Sequence, residues 1–322
     1  KWTDKLKNLQ QWYEDRDIKF VIVIAPNKHT IYKEKLPYWM QFDGQTLTDD
    51  IVKFSQKKNI NILDLRNPII SKKGEDVIYW KTDTHWNQKG AAIGYENIIT
   101  HLNTKLNMDI KPEKYSLIEK YRNSGDLSNF LKVSSILGNQ HEKQYQYIFK
   151  NDYDICKGNI NKTNSKLSKC SKTNNKSISK LGYYQYMINN NIQNNKLLLL
   201  GDSFTSAPSP LYSSSFNTVW RIHYGHINGQ KLSNFVSKYK PDIVIYQIVE
   251  RGLYNNGIIT PMPNIINIGE KNILKTNKIF DLRTDKHHKN NQLNITENLN
   301  SIHLDVTKRD PIIILSQTKS NS

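Results

Sequence analysis

The chain is short of acid. Twenty-nine Asp and Glu face 46 Lys and Arg, a formal net charge of +17 in 322 residues. That imbalance excludes an acidic or charge-neutral surface and points to an anionic or membrane-associated partner. Long hydrophobic runs are also missing. The longest, Phe20–Ala25 and Leu197–Leu200, fall far below the ~20 apolar residues that a membrane-spanning helix requires, so no bilayer-spanning segment is expected. Cysteine is nearly absent: Cys156 and Cys170 are the only two, both in a Lys/Asn/Ser-rich stretch where no core is expected to bury them. With neither a CxxC spacing nor a neighbouring histidine they do not read as a zinc site. They are idle thiols in a reducing compartment, or close a short loop worth roughly 3 kcal/mol in an oxidising one. No internal repeat is evident, and no RRM, KH, zinc-finger or helix-turn-helix signature accompanies the positive charge, so nucleic acid is not the expected partner. The sequence opens at Lys1 with no signal-peptide pattern, and any signal or anchor is expected upstream.

What is present suffices for a folded protein. At ~150 residues per domain the length suggests one large domain or two. A 37% share of hydrophobic residues with 10% aromatics is too rich for a wholly disordered chain. Residues 18–26 form a β-branched run closed by Pro26, which predicts a buried strand. Leu47, Ile51 and Phe54 predict a helix over 46–58, and 60–65 a second strand. Val77–Trp80 reads as a short strand and 91–99 as an amphipathic helix. From about 112 to 190 the composition turns to Asn, Lys, Ser and Tyr, with weak periodicity near 145–149, and predicts a polar insertion. Order resumes with strands at 196–201, 218–223 and 242–249 and a helix across 229–239. Alternation of strand and helix predicts an α/β fold with a mostly parallel sheet. Residues 1–255 are expected to form the main domain. Residues 256–322 are expected to form an Asn-rich β appendage or a truncated module, with strand candidates at 278–282, 301–306 and 311–315.

Ser203 follows a buried strand and a Gly-Asp pair, which places its hydroxyl at the carboxyl edge of the sheet, where α/β ligand sites form. A Gly-Asp-Ser turn alone is also an ordinary turn. A serine nucleophile needs an imidazole to take its proton and a carboxylate to orient that imidazole. His85 and Asp83, in a loop before a helix, supply both, although Asp83-Thr-His-Trp86 also reads as a helix cap.

Taken together, these motifs resemble a known family. Gly201-Asp-Ser-Phe204 is similar to the nucleophile block of the SGNH hydrolase superfamily, and Asp83-Thr-His-Trp86 to the D-x-H-W motif of its alginate O-acetyltransferase branch, which includes AlgX and AlgJ. Ala25-Pro-Asn-Lys28, Pro241-Asp-Ile-Val and Val249-Glu-Arg251 extend the likeness over roughly 18–253. The resemblance implies a three-layer flavodoxin-like core. Because His85 precedes Ser203, it also implies a circular permutation, with the sheet running from the Ser203 strand through 218–223 and 242–249 into 18–25 and 60–65. It implies Ser203 as nucleophile, His85 as base and Asp83 as orienter. The expected reaction is O-acetyl transfer to a polysaccharide hydroxyl through an acetyl-serine. The alternatives are an acetylesterase with the same triad, or a polysaccharide-binding protein in which the triad is vestigial.

The oxyanion donors depart from the superfamily pattern. The Ser203 amide and Gly225 are candidates for two of them. The third strand ends Gln247-Ile-Val-Glu-Arg251 without Gly-x-Asn, leaving Gln247 or Arg251 as substitutes; Arg251 also reads as a loop brace, pairing with Glu250 or a nearby carboxylate. Trp86 is a candidate sugar floor or a packing partner of His85. Tyr184, Trp220, His223 and His226 are further pocket candidates, and His287-His288 reads as a solvated pair. The resemblance implies no metal or organic cofactor, only an acetyl donor. It further implies an extracytoplasmic site, a membrane-bound O-acyltransferase as acetyl supplier, and with that oxidising compartment the Cys156–Cys170 disulfide. The basic charge adds the expectation of peripheral contact with an anionic glycan or membrane.

Overall fold

The computed structural model describes residues 2–137, 142–157, 168–172, 177–178, 180–193, 195–227, 229–255, 292–297, 300–305 and 316–318. The chain divides into two compact units, Lys1–Pro261 and Met262–Ser322. In chain order the first unit begins with α1 (Trp2–Glu14), β1 (Lys19–Ala25), α2 (Lys28–Ile31), α3 (Leu47–Lys57), β2 (Ile62–Asp64), α4 (Arg66–Lys72) and α5 (Gln88–Lys105). The expected insertion contains β3 (Tyr115–Arg122), α6 (Asp126–Phe130), α7 (Ser134–Leu137), β4 (Glu142–Phe149), β5 (Asp154–Lys157), β6 (Ser168–Lys172), β7 (Ser177–Ile178) and β8 (Gln185–Ile188). Then follow β9 (Lys196–Gly201), α8 (Ser209–Tyr212), β10 (Thr218–His223), α9 (Gly229–Tyr239) and β11 (Ile243–Val249).

The main sheet has eight strands in the order β2-β1-β11-β9-β10-β8-β5-β6. The first five are parallel, and β8, β5 and β6 continue the sheet antiparallel. Numbered cyclically from β9, the parallel strands run 2-1-3-4-5, the flavodoxin-like order. The chain therefore enters the sheet at the fourth position of that order, which is the expected permutation. One detail differs from the expectation: the Ser203 strand does not begin the sheet but lies between β10 and β11. That is where the strand order reverses, and where a crevice for ligands opens.

Burial on both faces explains why the parallel strands read as unbroken apolar runs. Leu197, Leu199, Ile243, Ile245, Val21 and Val23 pack toward α5, through Ala91, Tyr95, Ile98 and Leu102. On the opposite face Phe20 stacks on Tyr13 of α1, ring centroids 4.9 Å apart.

Three expectations need correction. Val77–Trp80 is not a strand; it contributes a single bridge between Tyr79 and Trp86. The insertion is ordered over most of its described length: β3, β4 and β7 form their own antiparallel sheet, with Tyr147, Phe149 and Tyr153 buried. Cys156 is not outside the core but fully buried. It sits in β5 directly opposite Cys170 of β6, and the two form a disulfide. In the second unit, β12 (Gln292–Glu297), β13 (Asn300–Asp305) and β14 (Ser316–Thr318) form an antiparallel sheet. The strand candidates at 278–282 and 311–315, and His287-His288, lie outside the described residues.

Candidate active site

The register brings the ends of the central strands to one edge. Gln247 pairs with Gly201, Gly201 with His223, and Val249 with Ala25. At the end of β9 the chain turns at once. A side chain at Gly201 would place its Cβ 2.2 Å from Thr205 Cγ2 and 2.8 Å from the Gln247 carbonyl oxygen, so the tight exit requires glycine. Asp202 caps the following 3-10 turn, Ser203–Thr205. Its Oδ1 accepts the Phe204 amide at 2.9 Å and its Oδ2 the Val249 amide at 2.8 Å. The buried carboxylate thereby ties the turn to the end of β11, although burial pushes its pKa up. Ser203, at the first position of the turn, is exposed between buried neighbours. The first amides of a helical turn have no partner within it, and the described residues provide none for Ser203.

A buried arginine supports the turn from behind. Arg221 of β10 donates to Thr205 Oγ1 at 2.8 Å, Ser206 Oγ at 2.7 Å and the Leu181 carbonyl at 2.6 Å, with Tyr183 stacked on its guanidinium. Burial lowers its pKa to about 10. The sequence reading did not single it out. The only available signal was a charged residue inside the apolar run Thr218–His223.

His85 approaches Ser203 from across the edge. Its Nε2 lies 2.7 Å from Ser203 Oγ, and its Nδ1 lies 2.7 Å from Asp83 Oδ1. With Nδ1–H directed at the carboxylate, Nε2 is left to accept the serine proton. Asp83 Oδ1 also accepts the His85 amide at 3.1 Å, and its Oδ2 accepts Arg122 Nη2 at 2.8 Å. Burial raises the Asp83 pKa, but hydrogen bonds from the His85 ring and amide, and the His85 and Arg122 charges, outweigh it. The carboxyl is held well below its ordinary range.

The loop carrying Asp83 and His85 is fixed on several sides. Lys28 Nζ donates to the carbonyls of Trp80, Lys81 and Asp83. Asp126, at the start of α6, accepts from the Thr84 amide and hydroxyl at 2.7 and 2.5 Å, with its Oδ2 3.6 Å from His85 Nδ1. Asn87 caps α5 through the Lys89 and Gly90 amides. Asp83, His85 and Asp126 together bring ligand-type atoms within 4.8 Å of one another. Each of these carboxylates is engaged by donors from Arg122, Thr84 or His85.

The other sequence candidates take different positions. Trp86 is only 1% exposed, donates to the Phe204 carbonyl at 3.0 Å and packs on the Phe204 ring. Trp86 borders the cleft, but so buried a ring serves as the packing partner that braces the nucleophile turn and offers little open face to a sugar. Gln247 lies inside the sheet, fully buried, not at a strand end as an oxyanion donor requires. The Gly225 amide is not open for an oxyanion either, since it donates to His223 Nδ1 at 3.0 Å. Arg251 does not pair with Glu250. It donates to Asn27 Oδ1 at 3.2 Å and lies over the Phe204 ring, while Glu250 accepts the Asn27 amide at 2.6 Å. Trp220 packs between Tyr186 and Phe235, and Tyr184 stacks on His226, with His223 beside it. None of these four lines the cleft of about 300 Å³ that opens at Ser203 and His85. Its walls instead include Trp80, Arg122, Gln144 and Lys180.

The chain is similar to several known proteins. Residues 2–156 match the family described as SGNH hydrolase-like domain, acetyltransferase AlgX. A probable alginate O-acetylase AlgJ of Pseudomonas syringae pv. tomato (strain ATCC BAA-871 / DC3000) is 24% identical over 146 residues, 42% of this chain and 35% of that protein. The match thus spans about a third of that relative's length. Among solved structures, a DHHW family protein from Eubacterium siraeum aligns with TM-score 0.62 at 15% identity, over 82% of this chain and 89% of that one. Bacillus cereus PatB1 aligns with TM-score 0.58 at 17% identity, over 78% and 89%. At these identities the structural likeness shows the shared fold, and the sequence likeness makes the chain AlgX/AlgJ-like.

Proposed function

We propose that this AlgX/AlgJ-like chain is an O-acetyltransferase that moves an acetyl group through an acetyl-Ser203 intermediate onto a hydroxyl of an extracytoplasmic polysaccharide. The observation that carries this reading is the unbroken relay from Ser203 Oγ to His85 Nε2 and from His85 Nδ1 to Asp83, each step 2.7 Å. His85 takes the serine proton as Oγ bonds to the acetyl carbonyl carbon, and returns that proton to the departing donor group. In the second half a sugar hydroxyl gives its proton to His85 and attacks the same carbon, and Ser203 leaves with the proton. Asp83 keeps Nδ1 protonated and stabilises the transient imidazolium. The unpartnered Ser203 amide supports a role as oxyanion donor, an interaction worth about 3 kcal/mol in enzymes of this kind.

The acetyl donor is proposed to be supplied by a membrane-bound O-acyltransferase, and the acceptor to lie in the cleft beside Trp80 and Arg122. Water entering in place of the sugar would give acetylesterase activity from the same residues. The test is a chromogenic acetyl ester with and without an oligosaccharide acceptor. Acetylated oligosaccharide is expected from the wild type and none from Ser203→Ala. Equal transfer by both proteins overturns the assignment.

A further inference from the structure

The segment between β1 and α3 leaves four large apolar side chains in solvent: Tyr38 at 87% exposure, Trp39 at 71%, Met40 and Phe42. The first three form a 3-10 turn, Tyr38–Met40, that buries none of its residues, Phe42 follows it, and the stretch from Pro37 to Gln45 is exposed throughout. Soluble surfaces carry single apolar residues without consequence, but a contiguous cluster marks a contact. The loop is nonetheless anchored at its base, where Thr46 and Asp49 form a reciprocal cap on α3. Its own acids are neutralised, Asp43 by Lys33 and Glu34 by Lys73, which leaves Lys35 exposed beside the aromatics.

We propose that this loop is a membrane-interface anchor that seats the carboxyl edge of the sheet on an anionic lipid surface. The residue types favour that occupant. Tyr and Trp combine an apolar ring with a polar tip and concentrate at the bilayer interface. The net charge of +17 is attracted to anionic headgroups. The loop lies between the end of β1 and α3, whose Thr48 hydroxyl donates to Glu250 just beyond β11, at the same sheet edge as the turn that carries Ser203. Lys28, five residues before Lys33, fixes the loop carrying Asp83 and His85. A second exposed cluster, Phe130, Leu131 and Ile136, ends and follows α6, whose Asp126 holds Thr84. Seated this way, the active-site edge faces the lipid surface.

The experiment is sedimentation of the full chain with vesicles of phosphatidylcholine alone or with 30% phosphatidylglycerol, comparing wild type with the double variant Trp39→Ser/Phe42→Ser. The wild type is expected to bind the anionic vesicles, with affinity falling at least tenfold in the variant and falling as salt rises. The variant's melting temperature should be unchanged, because both side chains are mostly exposed. Its turnover of a soluble acetyl ester should also be unchanged, which separates this inference from the assignment of the triad. Equal binding by both proteins, no binding to either vesicle, or a wild-type dimer that the variant converts to monomer would overturn it.

Discussion

Arg122 holds the outer oxygen of Asp83 at 2.8 Å while His85 holds the inner one, so the orienting carboxylate is gripped from the insertion as well as from its own loop. The guanidinium also lies over the Trp80 ring, which fixes its plane. The insertion is therefore part of the active site and not an ornament on it.

That grip sets the response to acid. The folded-state pKa of Asp83 lies below its ordinary value near 3.9, so the unfolded chain takes up the proton first as pH falls. The stabilisation from Asp83 is fully present above about pH 4 and is lost as pH drops through the folded value. Differential scanning calorimetry of Asp83→Asn should show a melting-temperature deficit at pH 6 to 7 that narrows toward pH 3. Arg122→Met removes one of the groups that depress this pKa, so the acid limb of its stability profile should move to higher pH. A buried carboxylate that loses a charge-assisted donor costs about 1.5–3 kcal/mol.

Gly125 offers a sharper test of positioning. A Cβ there would stand 2.4 Å from both Asp83 Cβ and Asp83 Oδ2, with no flexible group to yield. Gly125→Ala is expected to displace Asp83 and lower acetyl turnover about 100-fold, the scale on which small misplacements act. Circular dichroism should meanwhile show a folded protein. Turnover within twofold of wild type would contradict the packing described here.

The disulfide spans 14 residues and joins β5 to β6 at the far edge of the main sheet. A loop of that length is worth about 3 kcal/mol in the chain-entropy account. Cys156→Ser/Cys170→Ser should lose roughly that much in denaturant unfolding while keeping acetyl turnover, because neither sulfur lines the cleft.

Much of this site was legible in the sequence, for physical reasons. Buried parallel strands announce themselves as apolar runs, and a nucleophile turn at a strand end needs its Gly-Asp pair. The accessory motifs acquire plain tasks: Lys28 pins the histidine loop, and Glu250 ties β11 to Asn27. What escaped were contacts between segments remote in the chain. Nothing local in Arg122 or Asp126 distinguishes them from surface charges until β3 and α6 fold against residues 82–85. The insertion hid its strands because tyrosines and polar residues alternate there, as in Tyr145-Gln-Tyr-Ile-Phe149, without a long apolar run. Cys156 looked solvated for the same reason. The reading of Gln247 failed in the opposite direction, since a strand's last polar residue looked like a ligand donor and lies within the sheet.

The most direct measurement is the intact mass of the protein after brief exposure to a chromogenic acetyl ester, with and without an oligosaccharide acceptor. The account predicts one added acetyl group, mapped by fragmentation to Ser203, discharged faster by the acceptor than by water and absent in Ser203→Ala. An unmodified wild-type protein that still turns over the ester, or an acetyl group on another residue, would contradict it.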